Sequence, residues 1–327
     1  MTIPSKALRT YINPVGGEIR MGDPFVKRYG ARYYLTGTTQ SGGFQYWTSP
    51  DLVNWTHGGK LFEFDDARWG ERSFWAPELF SHRGKYYLAY SAAVGPRGQG
   101  PGFRMCLAVS ATPEGPYRDL HAPWCDLEVP VIDAHVFFDT DQTPYLYFTE
   151  VGIRRGAQTK LLAVTYVVPL KEDLSGPAGE PVECVRADQP WEMPPQGRSH
   201  CNEGAFVFEH FGTYYLTYSA NHYAEPFYGI GYATAPSPLG PWTKSPDNPL
   251  VSADLEKGVS GPGHNCFVLS PDGRERFMVY HAHANLEKPS GLRTVNIDRV
   301  TVDASGRLSL DGPTRTPQPY PSGARPE

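Results

Sequence analysis

Apolar and polar positions along the 327-residue chain keep no helical period for long. Short apolar runs instead follow one another, each closed by Gly, Pro or Asp. One unit recurs five times: a polar or glycine-containing turn, then two or three aromatic or apolar residues, then small polar ones. It reads RYGARYYLTGTT at 28–39, HRGKYYLAYSAA at 82–93 and DTDQTPYLYFTE at 139–150. It returns as EHFGTYYLTYSA at 209–220 and PDGRERFMVYHA at 271–282. An apolar strand precedes each copy, namely DPFVKR, APELFS, DAHVFFD, EGAFVFE and HNCFVLS, so every unit opens with a strand–turn–strand hairpin.

Pro/Gly turns leading to an aromatic follow in several units, as in SPDLVNWTHGG (49–59), TPEGPYRDL (112–120) and SPLGPWTKS (237–245). A hairpin plus a third and fourth strand fills the roughly 40–60 residues of one propeller blade. Five units occupy the chain, which predicts an all-β, five-bladed β-propeller forming a single domain over 1–327, with its core at about 14–305. A β-sandwich with coincidental aromatic strands is the competing arrangement, but five ordered recurrences disfavour it. Composition agrees: 20 Tyr, 16 Phe and 7 Trp suit strands, and 34 Gly with 32 Pro suit turns.

Charge narrows the function classes. The net charge is -5, from 30 basic and 35 acidic residues with no long block of either sign. No basic face for nucleic acid is expected, and no run reaches the ~20 apolar residues of a membrane span. The opening MTIPSKALRTYINP shows no apolar leader, so the expected compartment is the cytoplasm, although a mature secreted form would read the same. Five scattered cysteines without a CxxC pair read as free thiols. No phosphate loop, HExxH helix or GxSxG elbow occurs. GQGPGF (98–103) reads as a loop, and His281 with His283 as a strand-face pair lacking a third metal ligand.

Candidate chemistry sits where the repeated first strands begin. Asp23, Glu78, Asp133 and Glu203 stand at or just before four of these strands, and His264 stands at the fifth. In a propeller such strand starts converge on one channel mouth. A pair of carboxyl groups with separated pKa values is the usual equipment for glycoside hydrolysis: one protonates the leaving oxygen, the other activates water or attacks the sugar. Phe74 and Trp75, together with Phe44, Trp47, Tyr223, Phe227 and Tyr228 in expected connecting loops, offer flat faces for sugar rings.

The motifs GDPFVKRYGARYYLTGT, FWAPELFSHRGKYYLAYSA, VIDAHVFFDTDQTPYLYFTE, NEGAFVFEHFGTYYLTYSA and GPGHNCFV, taken in order, resemble family 43 of the glycoside hydrolases. That resemblance implies an inverting enzyme on arabinosides, xylosides or some galactosides. It implies Asp23 as general base, Glu203 as general acid and Asp133 as the third carboxylate that tunes the acid. It places His264 beside a calcium ion, Arg293 on the innermost sugar and Trp75 stacked against it; no organic cofactor is implied. Phe44 and His200 are added as substrate contacts. The chain departs from the family pattern in having Ala134 and Ala205 where many members have Pro.

The expected activity is exo-acting release of terminal α-L-arabinofuranose from oligosaccharides or glycosides. The early end of the chain after the propeller favours arabinofuranose over xylose. A β-xylosidase, a galactofuranosidase or exo-galactanase, a fructan-active relative and a non-catalytic sugar-binding propeller are the alternatives.

Overall fold

The computed structural model describes residues 9–39, 43–63, 69–95, 102–153, 161–289 and 291–325. Strand dominates, and no α-helix occurs among the described residues; a single 3-10 turn covers Pro190–Glu192. Five antiparallel units follow one another in chain order, each with four strands paired to their sequence neighbours. The innermost strands are Gly22–Tyr29, Arg72–His82, Val131–Phe138, Ser199–His210 and Gly263–Leu269. Each packs on the next, and the fifth packs on the first. The ring is therefore closed and the molecule is a five-bladed propeller.

The second strands are Arg32–Thr38, Lys85–Ala93, Pro144–Ile153, Thr213–Ala220 and Arg276–His283. They coincide with the five recurrent aromatic segments. Between the blades lie four apolar clusters rich in the tyrosines and phenylalanines of these hairpins. The ends of the chain join the last blade: Val15 bridges to Val295, and Thr10–Tyr11 pairs with Gln318–Pro319.

Phe44 belongs to this packing and not to a loop. It sits in the strand Gly43–Ser49, is fully buried, and meets Phe62, Phe74 and Tyr90 at ring separations of 5.9, 6.2 and 5.5 Å. The same strand carries Trp47, whose ring meets His57. The expectation that Phe44 contacts substrate is thus corrected: strand alternation turns it into the core between blades 1 and 2. The five cysteines are free and buried.

Each innermost strand contains a β-bulge near its start, between Gly22 and Phe25, Trp75 and Glu78, Ile132 and His135, Glu203 and Phe206, and Gly263 and Cys266; that of blade 2 carries a second irregularity between Arg72 and Trp75. At the centre of each bulge stands a residue with positive φ: Asp23 (51°), Ala76 (45°), Asp133 (61°), Gly204 (60°) and His264 (48°). A bulge bends its strand and re-aims one side chain. Repeated five times around a ring, it turns five positions toward one end of the channel. Non-glycine residues rarely adopt this conformation, and its cost of about 1–3 kcal/mol each is typical of functional sites.

Candidate active site

The bulges define which positions are equivalent, and the equivalence differs from the one expected from sequence. Asp23, Asp133 and His264 occupy the same place in their blades, but blade 4 places Gly204 there and blade 2 places Ala76. Glu203 lies one residue before the bulge centre. Glu78 lies two residues beyond it and is absent from the mouth of the channel. Its Oε2 is 2.7 Å from His135 Nδ1, forming a largely buried pair. Val207 N–H donates to His135 Nε2 at 3.0 Å, so the ring proton sits on Nδ1 and points at Glu78.

A cavity of about 1460 Å³ opens at this end of the channel. Asp23, Asp133, Glu203, His264, Arg293 and Trp75 all line it. His200 does not; its strand neighbours Ser199 and Cys201 share the face of Glu203 and line the wall, while alternation turns His200 away. Phe103, Tyr223 and Tyr228 line the cavity as well. Phe103 lies 4.6 Å from the Trp75 ring, so the two form one aromatic wall. Residues 98–101 of the GQGPGF segment fall outside the described residues.

Asp23 sits among cations and donors. Arg293 Nη1 donates to its Oδ1 at 2.8 Å and Thr38 Oγ1 donates to its Oδ2 at 2.5 Å. His264 Nδ1 and His281 Nδ1 lie 3.5 and 3.6 Å from Oδ1. Gly22 makes this possible, since a Cβ there would fall 1.8 Å from the guanidinium of Arg293. Burial alone raises the Asp23 carboxyl. Arg293, the two histidines and the Thr38 hydroxyl outweigh it and hold the group well below the ordinary carboxylate range. Burial keeps His264 and His281 themselves below their ordinary values, so near neutral pH Arg293 supplies the charge.

Asp133 and Glu203 sit in the opposite setting. Burial, then repulsion from Glu203 and Asp23, pushes the Asp133 carboxyl well up, although Gly204 N–H donates to its Oδ2 at 3.0 Å. Burial pushes Glu203 up to about 7, against the lowering effect of a 2.8 Å hydrogen bond from Tyr228 Oη to Oε1. Asp23 raises it further and Arg293 lowers it. The two groups titrate as an interacting pair. One cavity therefore holds an ionised carboxylate and a carboxyl that keeps its proton close to neutral pH, which suits acid and base roles in a single reaction.

Among the described residues no group of three His, Cys, Asp or Glu side chains is placed to hold a metal. Calcium takes six to eight oxygen ligands, and His264 offers one imidazole. Its nearest carboxylate, Asp23, is already committed to Arg293 and Thr38. The side chains do not fit a calcium cage, and no chemical step is routed through such an ion.

Sequence reasoning missed Thr38 and His281 as partners of Asp23, and it placed Tyr228 only as a loop aromatic. A signal was present. Across the hairpins, Gly22, Trp75, Ile132, Glu203 and Gly263 pair with Thr38, Ser91, Thr149, Ser219 and His281. Four of these are small hydroxyl residues. Thr38 accepts the N–H of Ala76, Ser91 that of Asp133, Ser219 that of His264, and His281 that of Asp23. Each bulge is thus pinned by a side chain of the preceding blade.

Comparison with known proteins agrees with this geometry. The family model described as Glycosyl hydrolases family 43 matches residues 11–308. A β-D-galactofuranosidase of Aspergillus niger is 28% identical over 305 residues, covering 88% of this chain and 81% of that protein. An extracellular exo-α-(1→5)-L-arabinofuranosidase of Streptomyces chartreusis is 28% identical over 290 residues, covering 83% and 82%. The crystal structure of a thermostable family-43 glycoside hydrolase superposes with a TM-score of 0.89 at 43% identity, covering 95% of this chain and 99% of that one.

Proposed function

The chain belongs to family 43 of the glycosyl hydrolases and is a glycoside hydrolase; from that premise we propose that it releases a terminal α-L-arabinofuranose residue by a single inverting displacement. Asp23, ionised beside Arg293, takes a proton from the attacking water. Glu203 gives its proton to the leaving oxygen. Asp133 repels Glu203 when both are charged, so the pair favours keeping a proton between them, and it fixes the backbone beside the acid through Gly204 N–H. Trp75 with Phe103 supplies the flat apolar face, and Arg293 serves the sugar hydroxyls while holding the base charged.

The observation that carries the reading is the opposite displacement of the two carboxyls: Asp23 held well down, Glu203 pushed up to about 7. The cavity volume supports an oligosaccharide substrate, because it exceeds the roughly 300–1,000 Å³ typical of small-ligand sites. D-galactofuranose in its β form shares the ring configuration of α-L-arabinofuranose and differs in the exocyclic chain, so a galactofuranosidase is the second reading, favoured by the Aspergillus relative. Two further points belong to the proposal. A calcium ion near His264 would be held mainly by water, and metal analysis after dialysis against a chelator tests it. For the compartment, the Streptomyces relative is named extracellular, whereas five unpaired thiols are commoner in a reducing one; fractionation of the native cells decides.

The test is a panel of 4-nitrophenyl arabinofuranosides, galactofuranosides and xylosides, with the first product followed by proton NMR. Fastest release from the α-L-arabinofuranoside with inverted product is expected. Retained configuration, or no release from any of the panel, would overturn the reading.

A further inference from the structure

The loop 221–228 leads back to the acid. Asn221 has a φ of 78°, and its side-chain amide donates to Trp191 O and Phe227 O, both at 3.1 Å. The backbone turns through Glu225 N to His222 O and Tyr228 N to Glu225 O. This delivers Tyr228, 1% exposed, into the site. Its ring lies parallel to that of His281, with centroids 5.7 Å apart and planes at 6°. On another side it packs on Gly263, where a Cβ would fall 2.0 Å from the ring. Two sides of the phenol are thereby fixed, one by a glycine and one by the histidine that accepts the N–H of Asp23.

The phenol is also hydrogen-bonded to the acid: its hydroxyl donates to Glu203 Oε1 at 2.8 Å. Ser219, paired with Glu203 across the hairpin, takes the N–H of His264 at 2.7 Å and so ties the acid's strand to the next blade.

We propose that Tyr228 is a positioning residue for the proton-donating step: by donating to Oε1 it leaves Oε2 as the oxygen that carries and delivers the proton of Glu203. The proposal rests on the reading of Glu203 as the acid. The bond is compatible with both states of Glu203, since Oε1 accepts as a carboxylate oxygen and as the carbonyl oxygen of the acid. Burial raises the phenol well above its ordinary pKa, so it stays a donor across the working range. The ionisable groups acting on Glu203 besides Tyr228 are Asp133, Asp23 and Arg293, with the Cys201 thiol two residues away on its own strand. Of these, Tyr228 and Arg293 favour the ionised form.

Tyr228→Phe removes one oxygen and keeps the packing. Its kcat/KM is compared with wild type on 2,4-dinitrophenyl and on alkyl or disaccharide arabinofuranosides, across pH. The 2,4-dinitrophenolate leaves without a proton; the alkoxide does not. The expected result is a loss within about twofold on the activated substrate and about 10–100-fold on the poor one. The alkaline limb should move up by about one pH unit, because a donor to the carboxylate is gone. Equal losses on both substrates with an unmoved alkaline limb would overturn the proposal and leave Tyr228 a packing residue. Glu203→Gln runs alongside: if it too fails to separate the substrates, the assignment of the acid has failed, not that of Tyr228.

Discussion

Asp23 and Glu203 line the same cavity, are both largely buried carboxyl groups, and are surrounded in opposite ways. Around Asp23, a guanidinium and a hydroxyl donate directly and two imidazoles approach within 3.6 Å. Around Glu203 the donor is a single phenol, and another carboxyl, Asp133, shares its dry surroundings. Burial pushes both groups up. The neighbours then decide the outcome, since only Asp23 has a buried cation in contact. A fold that repeats one hairpin five times thus obtains unlike chemistry from acids at and just before its bulges by changing what surrounds each of them.

The largest effects should come from removing either side of this contrast. Asp23→Asn is expected to lower kcat/KM by about 10³-fold or more on every substrate, because the attacking water loses its base whatever leaves. Glu203→Gln should lose as much on alkyl and sugar leaving groups yet keep most activity on 2,4-dinitrophenyl glycosides. Kinetics of the two variants on both substrates check this. Indistinguishable profiles would mean that the opposite surroundings do not translate into different roles.

The same contrast has a thermodynamic side with signs that differ. Asp23 has a depressed pKa, so its contribution to stability is present above the ordinary carboxylate range and is lost as pH falls through that range and below. At pH 7.5 Asp23→Asn should cost about 3 kcal/mol, because Arg293 is left buried without its counter-charge. Asp133 has a raised pKa. Its cost is absent below the ordinary carboxylate value, grows as pH rises through it, and is complete once pH passes the raised value. Asp133→Asn should therefore stabilise the fold at pH 7.5, with the gain vanishing near pH 4. Urea unfolding at both pH values measures this. Destabilisation of similar size by both variants would mean that the two settings are not electrostatically opposite.

The hairpins were legible in the sequence because their second strands carry the Tyr-Tyr and Tyr-x-Tyr patterns that fill the spaces between blades. Asp23 and Asp133 were legible because they recur at strand starts. The offset of Glu78 was not: both it and Glu203 precede apolar runs, and only the bulge shows that Glu203 lies one residue before the turned position and Glu78 two beyond. Phe44 misled because an aromatic after SGG (41–43) suits a loop as well as a strand. The partners of His281 and Tyr228 were not legible: Asp23 meets His281 only through the closure of the ring, and Glu203 meets Tyr228 only because the irregular loop 221–228 folds back onto its own blade.

The smallest effect tests the pinning of the bulges. In four blades the residue across the hairpin takes the N–H of the next bulge. Between blades 3 and 4 the pattern breaks: Gly204 N–H goes to Asp133 Oδ2, and the buried Thr149 hydroxyl has no hydrogen-bond partner among the described residues. The carboxylate that tunes the acid has taken the place of the structural hydroxyl, which ties Asp133 to the residue directly after Glu203. If so, Ser91 and Thr149 should respond differently to loss of their hydroxyls, although they occupy equivalent positions. Ser91→Ala leaves the buried N–H of Asp133 without its acceptor and should cost about 1–2 kcal/mol. Thr149→Val keeps the shape, removes a buried hydroxyl that bonds to nothing, and should change stability by no more than about 0.5 kcal/mol in either direction. Equal costs in urea unfolding would show that Thr149 still serves the fold as its counterparts do, and that Asp133 has replaced nothing.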